Sequence, residues 1–242
     1  MLSLLFLSFY GCKKEAKTAE AALKMQEFVI QISNYCKANS PGFIIIPQNG
    51  IQLAFKNTSQ DEGVYQMYLN AVDGFGNEEI FYDGTYKPDN ERLNMLQVLK
   101  QSKTILVSDL VKDDSKIQDD INRNLNEGFL CFPRSKNNLY YLEMPDYIIH
   151  ENTNNITQLS EAKNFLYLIN PEKHSSKSAF IDALKATNYD VLLIDLFYND
   201  ELLTATDISQ LKTKANGGQR LVIAYMNVGS AENYRYYWKS NW

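Results

Sequence analysis

Short, nearly unbroken apolar runs recur along this chain, at residues 43–47, 69–73, 104–109 and 128–133, and again at 165–170, 190–195 and 220–228. A continuous run of this length is what a strand buried on both faces of a parallel sheet looks like. Helix-patterned segments separate most of them. Residues 20–38 place Ala22, Met25, Phe28, Val29, Ile32 and Tyr35 at helical spacing, and further helices are predicted at 89–101, 114–126, 176–187 and 204–216. Asp113, Asp114 and Ser115 are candidate caps for the third of these, and Gly217-Gly218 is a stop for the last. Seven strands in βα order within 242 residues predict an α/β fold, most of a TIM-type (β/α)8 barrel, whose usual size is about 250 residues. The eighth unit is expected beyond Trp242. Residues 144–163, with Pro145, Asn152, Asn154 and Asn155, break the rhythm and predict a connection between two halves, 20–143 and 164–242.

A doubly wound sheet also alternates strands and helices, but no GxGxxG or GxxxxGK[ST] follows any run, so its phosphate-cradling loop is missing. Gly74-Phe75-Gly76 is a bare GxG that a tight turn explains. With 24 basic against 29 acidic residues and no basic run beyond Lys13-Lys14, nucleic acid is an unexpected partner. Aromatic residues make up 12% of the chain, 16 of them tyrosine; their flat rings suit sugar faces and ordinary packing alike.

The segment MLSLLFLSFYG is apolar and too short to span a bilayer, so residues 1–19 are predicted to be an export signal followed by a polar tether. Gly11-Cys12 followed by Lys-Lys-Glu resembles a bacterial lipoprotein cleavage box, which makes Cys12 a lipidation site and the bacterial cell envelope, periplasmic or surface, the expected location. The alternative is a buried N-terminal helix. Cys36 and Cys131 read as buried thiols, with a disulfide between them as the other option. Neither they nor His150 and His174 show metal-ligand spacing, and no cofactor is expected.

In a parallel barrel the chemistry gathers where the strands end. Gln48 and Asn49 follow the first run; Asp73, with Glu78 and Glu79, the second; Asp109 the third; Asp195 and then Asn227 and Glu232 the last two. Two carboxylates are what glycosidic cleavage requires, one protonated to assist the leaving oxygen and one ionised. An aspartate at a strand end also serves as a helix cap, which is the plainer role for Asp109. Asp190 opens its strand and is expected on the opposite, stabilising face. Tyr234, Tyr236, Tyr237 and Trp238 are either core or a sugar platform. No G-x-S-x-G elbow and no HExxH is present, which disfavours acyl transfer and zinc hydrolysis.

DVLLIDLFYND and RLVIAYMNVGSAENYRYYW resemble the first part of the endo-α-1,4-polygalactosaminidase-like family, glycoside hydrolase family 114, and FVIQISNYCKANSPGFIIIPQNG and YLNAVDGFGNEEIFY resemble its second part. The order is reversed here, as in a circular permutation joined through 144–163. The resemblance implies a (β/α)8 barrel acting on an amino-sugar polysaccharide and lacking the family's GFDGVYLD-type strand, with its catalytic aspartate. It implies Glu78 as general acid/base, Asp195 and Glu232 as further acidic site residues, and Gln48, Asn49, Asp73, Asp109, Tyr225 and Tyr236 as substrate-positioning residues. Ser230 stands where the family's GEAE pattern has its first glutamate, and Ser108 and Leu110 depart from its VTDY-like segment. These departures leave a non-catalytic carbohydrate-binding lipoprotein as the alternative, with a structural envelope protein as a third.

Overall fold

The computed structural model describes residues 5–229, 233, 235 and 237–241, with side chains from residue 18 onward. It divides into two compact units, Met1–Asn77 with Asn90–Ile105, and Glu78–Asp89 with Leu106–Trp242.

The first unit is mostly helical. Helix α1 (Leu5–Asn39) runs without a break through residues 13–19, where a polar tether was expected. Short 3-10 turns (Ile51–Ala54, Lys56–Thr58, Gln60–Glu62), α2 (Gln66–Ala71) and α3 (Asn90–Leu99) follow around a core of Ile51, Phe55, Tyr68, Val72, Phe75, Leu96 and Leu99. Polar side chains on one face of α1 dock it. Gln26 Nε2 donates to the carbonyls of Leu53 (2.8 Å) and Phe55 (3.1 Å), and Ser33 Oγ and Lys37 Nζ donate to Ala71, the last carbonyl of α2. A helix end leaves such carbonyls without intrahelical donors, and a cation there also meets the negative end of the helix dipole.

Two predicted strands are absent from this unit. Residues 43–47 are extended beside residues 73–76, with Asp73 N donating to Ile45 O and Gly76 N to Pro47 O, but Pro47 has no N–H and only a single bridge, Gln48 to Gly76, is completed. Residues 69–73 belong largely to α2. Apolar residues at 64, 65, 67, 68, 69, 71 and 72 are too dense for periodicity to separate helix from strand.

The sheets lie further along the chain. β1 (Gly74–Tyr86) contributes its first four residues to the first unit and the rest to the second. β2 (Thr104–Val111), α4 (Ile117–Asn126), β3 (Leu130–Cys131) and β4 (Arg134–Ser135) follow, and β1, β2, β3 and β4 form a four-stranded sheet in which β2 pairs with the other three. β3 and β4 run parallel to β2, with Leu106 opposite Leu130 and Leu110 opposite Arg134; Phe132 and Pro133 separate them. Residues 144–163 carry no strand or α-helix, only the short 3-10 turn Leu159–Glu161. β5 (Phe165–Leu168), α5 (Lys177–Lys185), β6 (Val191–Asp195), a two-stranded hairpin of β7 (Phe197–Tyr198) and β8 (Glu201–Leu202), α6 (Ala205–Leu211) and β9 (Leu221–Tyr225) complete the chain. β5, β6 and β9 form a parallel sheet in chain order, the alternation that the apolar runs predict.

The expected barrel is therefore corrected. The described residues form separate sheets of four, three and two strands, and no closed, circularly permuted (β/α)8 barrel is among them. Two of the seven runs are not strands, and β3 and β4 are two residues each, too short to carry a closed ladder.

Arg220 ties α5 and α6 to the sheet. Its guanidinium donates to the carbonyls of Leu184 (3.1 Å), Leu211 (2.6 Å), Thr187 (3.1 Å) and Thr213 (2.8 Å), so one cation serves the ends of both helices. Its burial pulls the guanidinium down to about 10. α6 stops at Leu211, short of the expected 216, because the chain folds back in a bridge between Thr213 and Gln219. Gly218 sits in that turn, and a Cβ there would lie 2.9 Å from Thr153 O and 3.0 Å from Asn154 O. Both are backbone atoms, so Gly218→Ala is expected to cost about 1–3 kcal/mol in urea unfolding; an unchanged midpoint would show that the 152–155 segment yields freely.

Candidate functional site

β1 carries GFGNEEIFYDGTY, a strand with two adjacent glutamates in its middle. Two consecutive strand residues point to opposite faces. Glu79 escapes that rule because its backbone is left-handed (φ 59°), an uncommon state for a residue with a Cβ. The distortion turns the next two amides towards β2, where Asp109 accepts from Ile80 N (2.6 Å) and Phe81 N (3.0 Å). Asp109 is fully buried, so its work in the fold is to hold this bulge and not to meet solvent.

Behind Asp109 lies Asp120 of α4, also fully buried. Burial, and then the neighbouring Asp109 charge, push Asp120 up to about 10. Asn124 Nδ2 donates to Asp120 Oδ1 (3.0 Å), while Asp120 Oδ2 accepts from no donor. Two carboxylates in one dry space share a proton. Asp120 is the one that holds it, because burial and the Asp109 charge both oppose its ionisation.

In front of the bulge, Glu78 and Glu79 meet Arg134 from β4. The guanidinium lies 3.3 Å from Glu79 Oε1 and 3.9 Å from Glu78 Oε1; its side chain is only 4% exposed, against 29% for Glu78 and 38% for Glu79. Arg134 also donates to Leu139 O (3.0 Å) and Ser108 O (3.4 Å), which fixes it from behind. Tyr141 donates its hydroxyl to Glu78 Oε1. Its ring lies between the Arg134 guanidinium, 4.5 Å from the centroid, and the Tyr167 ring of β5 at 4.0 Å. Burial and then the Glu78 charge push both the Tyr141 and Tyr167 phenols well above their ordinary range, with Tyr225 of β9 adding to the effect on Tyr167.

The structure thus brings Glu78 and Tyr225 into the neighbourhood of Tyr167 in the second unit. Asp195, ending β6, pairs with Arg235 and accepts from Phe197 N (3.1 Å), and the Arg235 guanidinium stacks over Phe197. Gln48, Asn49 and Asp73 belong to the first unit. There Asp73 pairs with Lys37 (3.0 Å) and accepts from Ile45 N, Gln48 lies against Gly76, and Asn49 takes a left-handed turn (φ 58°). Glu232 and Tyr236 lie outside the described residues, as does the side chain of Cys12. Cys36 and Cys131 are free thiols, and no cluster of three His, Cys, Asp or Glu able to hold a metal occurs among the described residues. No helix among them is long and apolar enough to cross a membrane.

Sequence reading missed Arg134, Tyr141 and Tyr167. Arg134 had a signal, a lone cation closing the apolar run FLCFP. Tyr141 had none, because its position depends on a loop built around Asn138, whose Oδ1 accepts from Leu142 N (2.6 Å) and Glu143 N (2.9 Å).

No protein-family model matches the chain. Among curated proteins it is similar to an uncharacterized protein of Methanocaldococcus jannaschii, 37% identical over 124 residues, which cover 46% of this chain and 34% of that protein. It is also similar to an uncharacterized protein of Thermotoga maritima, 34% identical over 110 residues, covering 43% of this chain and 32% of that one. The chain spans about a third of the length of these relatives. No solved structure matches it.

Proposed function

We propose that this chain is a glycoside hydrolase-like envelope lipoprotein acting on an amino-sugar polysaccharide of the galactosaminoglycan type. The observation that carries the reading is Glu78: a partly exposed carboxylate on a strand, with a buried phenol and a buried guanidinium against one of its oxygens. Acid/base work on a glycosidic oxygen needs a carboxyl group held at fixed geometry. Carboxylates set among tyrosine rings are also suited to protonated amino sugars, which offer ammonium groups to the former and C–H faces to the latter. The resemblance to glycoside hydrolase family 114 in the YLNAVDGFGNEEIFY segment supports the same residue. Asp195 and Glu232 are the candidates for the second carboxylate. Export and lipidation at Cys12, from the apolar N-terminal run, would place the protein on the envelope, where such a polymer is met.

The test is release of reducing ends from a galactosamine polymer by the protein and by Glu78→Gln, which keeps shape and removes the titratable proton. Turnover by the wild type that falls by at least about 100-fold in the variant is expected, the usual scale of general acid/base assistance; equal rates remove Glu78 from the chemistry. A second reading has its own support. Asp195 is engaged by Arg235 with only 14% of its side chain exposed, which suits a carbohydrate-binding protein without turnover. Saturable polymer binding with no reducing ends released would select it.

A further inference from the structure

We infer that Tyr141 is the positioning residue of this site, with Arg134 as its support, and that the hydroxyl of Tyr141 sets the orientation of the Glu78 carboxylate. Resting on the assignment of Glu78 above, the inference adds a residue that no sequence signal marks.

Independent observations converge on Tyr141. Its hydroxyl donates to Glu78 Oε1. Its ring is clamped between Arg134 and Tyr167, so the hydroxyl cannot swing. Its backbone is left-handed (φ 58°), which for a bulky aromatic residue costs on the order of 1–3 kcal/mol and persists only where the surroundings impose it. The surroundings do: Tyr141 N donates to Asn138 O, and Asn170 N to Tyr141 O. Glu79, beside Glu78, is the second left-handed residue of the site. Two strained residues on separate segments, both adjoining one carboxylate, are what a site held in a set geometry looks like.

The phenol is not itself a nucleophile. Only 6% of Tyr141 is exposed, and burial and the Glu78 charge both oppose loss of its proton. Its role is to hold one oxygen of Glu78 so that the carboxyl plane is fixed. Arg134, shared between Glu78 and Glu79 and lying over the Tyr141 ring, holds both carboxylates to one guanidinium nitrogen and offsets their mutual repulsion. Glu78 is faced by Glu79 from β1, Arg134 from β4, Tyr141 from the following loop and Tyr167 from β5.

The experiment is solution NMR of the full chain with Tyr141→Phe and Glu78→Ala, alongside turnover of galactosamine polymer. The wild type should show a slowly exchanging, downfield tyrosine hydroxyl proton that is lost in both variants. Tyr141→Phe should lower kcat by about 10- to 100-fold with KM nearly unchanged, because misplacing a reacting group costs rate more than binding. A hydroxyl resonance that is absent from the wild type or survives Glu78→Ala overturns the inference, as does unaltered kcat in Tyr141→Phe. If the wild type turns over no polymer, the hydrolase reading falls; the hydroxyl resonance and its loss in both variants then decide the positioning role alone, for or against.

Discussion

Lys214→Met is expected to lower the free energy of unfolding by about 3–5 kcal/mol, the usual cost of removing one member of a buried ion pair. Lys214 and Asp190 have side chains that are 0% exposed, with Nζ 2.5 Å from Asp190 Oδ1. The ammonium also donates to Asn154 O (2.8 Å) and to Asn152 Oδ1 (3.2 Å), so it joins the residue that precedes β6 to the segment 144–163. Asp190 in turn accepts from Lys163 N (2.7 Å) and Asn152 Nδ2 (3.0 Å). Methionine fills the space of the lysine stem but leaves a carboxylate in a dry interior with its cation gone. The loss therefore comes from the stranded charge more than from the missing bond. Converting Asp190 to Asn as well removes that charge while keeping an oxygen for Lys163 N, so the double variant should recover a good part of the loss. Urea titration of the wild type, Lys214→Met and the double variant measures this. A single-variant cost below about 1 kcal/mol, or a double variant no better than Lys214→Met, would mean that water reaches Asp190.

This ion pair stands where the sequence places a stabilising residue, at the start of a strand and away from the strand ends that carry candidate chemistry. The second parallel sheet was legible for the same reason. Residues 165–169, 191–194 and 221–226 are apolar throughout and bounded by polar or helical segments, and they became β5, β6 and β9 in register. β1 was not legible. Its outward residues are Glu, Asp and Thr and its entry is Gly-Phe-Gly, so it shows neither the continuous apolar run of a buried strand nor clean alternation. Its pairing to β2 is instead secured by Asp109, a polar anchor that pattern reading assigns to a cap or a substrate. The barrel expectation failed at Pro47 and in α2, where local backbone chemistry overrode apolar density. At the site, Glu78 could be named from its place after an apolar run and from the resemblance. Arg134, Tyr141 and Tyr167 come from three other segments, and only tertiary packing joins them to it.

The stability of the second unit should fall as pH rises through neutrality, and Asp120→Asn should remove most of that dependence. Asp120 is faced by Asp109 from β2, by Cys131 from β3, by Tyr147 and, on its own helix, by Asp119, Arg123 and Asn124. Burial and the Asp109 charge keep it protonated up to about 10 in the folded state. Once unfolded it loses its proton near the ordinary aspartate value of about 3.9. Between those values the folded chain binds one proton more than the unfolded chain, so each pH unit gained costs up to about 1.4 kcal/mol. The contribution is complete below about pH 4 and is lost as pH climbs through the folded value. Asparagine at 120 keeps the shape of the side chain and has no proton to lose, so its unfolding free energy should vary much less between pH 5 and 9. Parallel pH profiles for the two proteins would show that the folded state does not hold Asp120 protonated. The effect reaches the site through geometry. With both aspartates charged, repulsion acts on the carboxylate that clamps Ile80 N and Phe81 N, the two amides that follow the Glu79 bulge and fix where Glu78 stands.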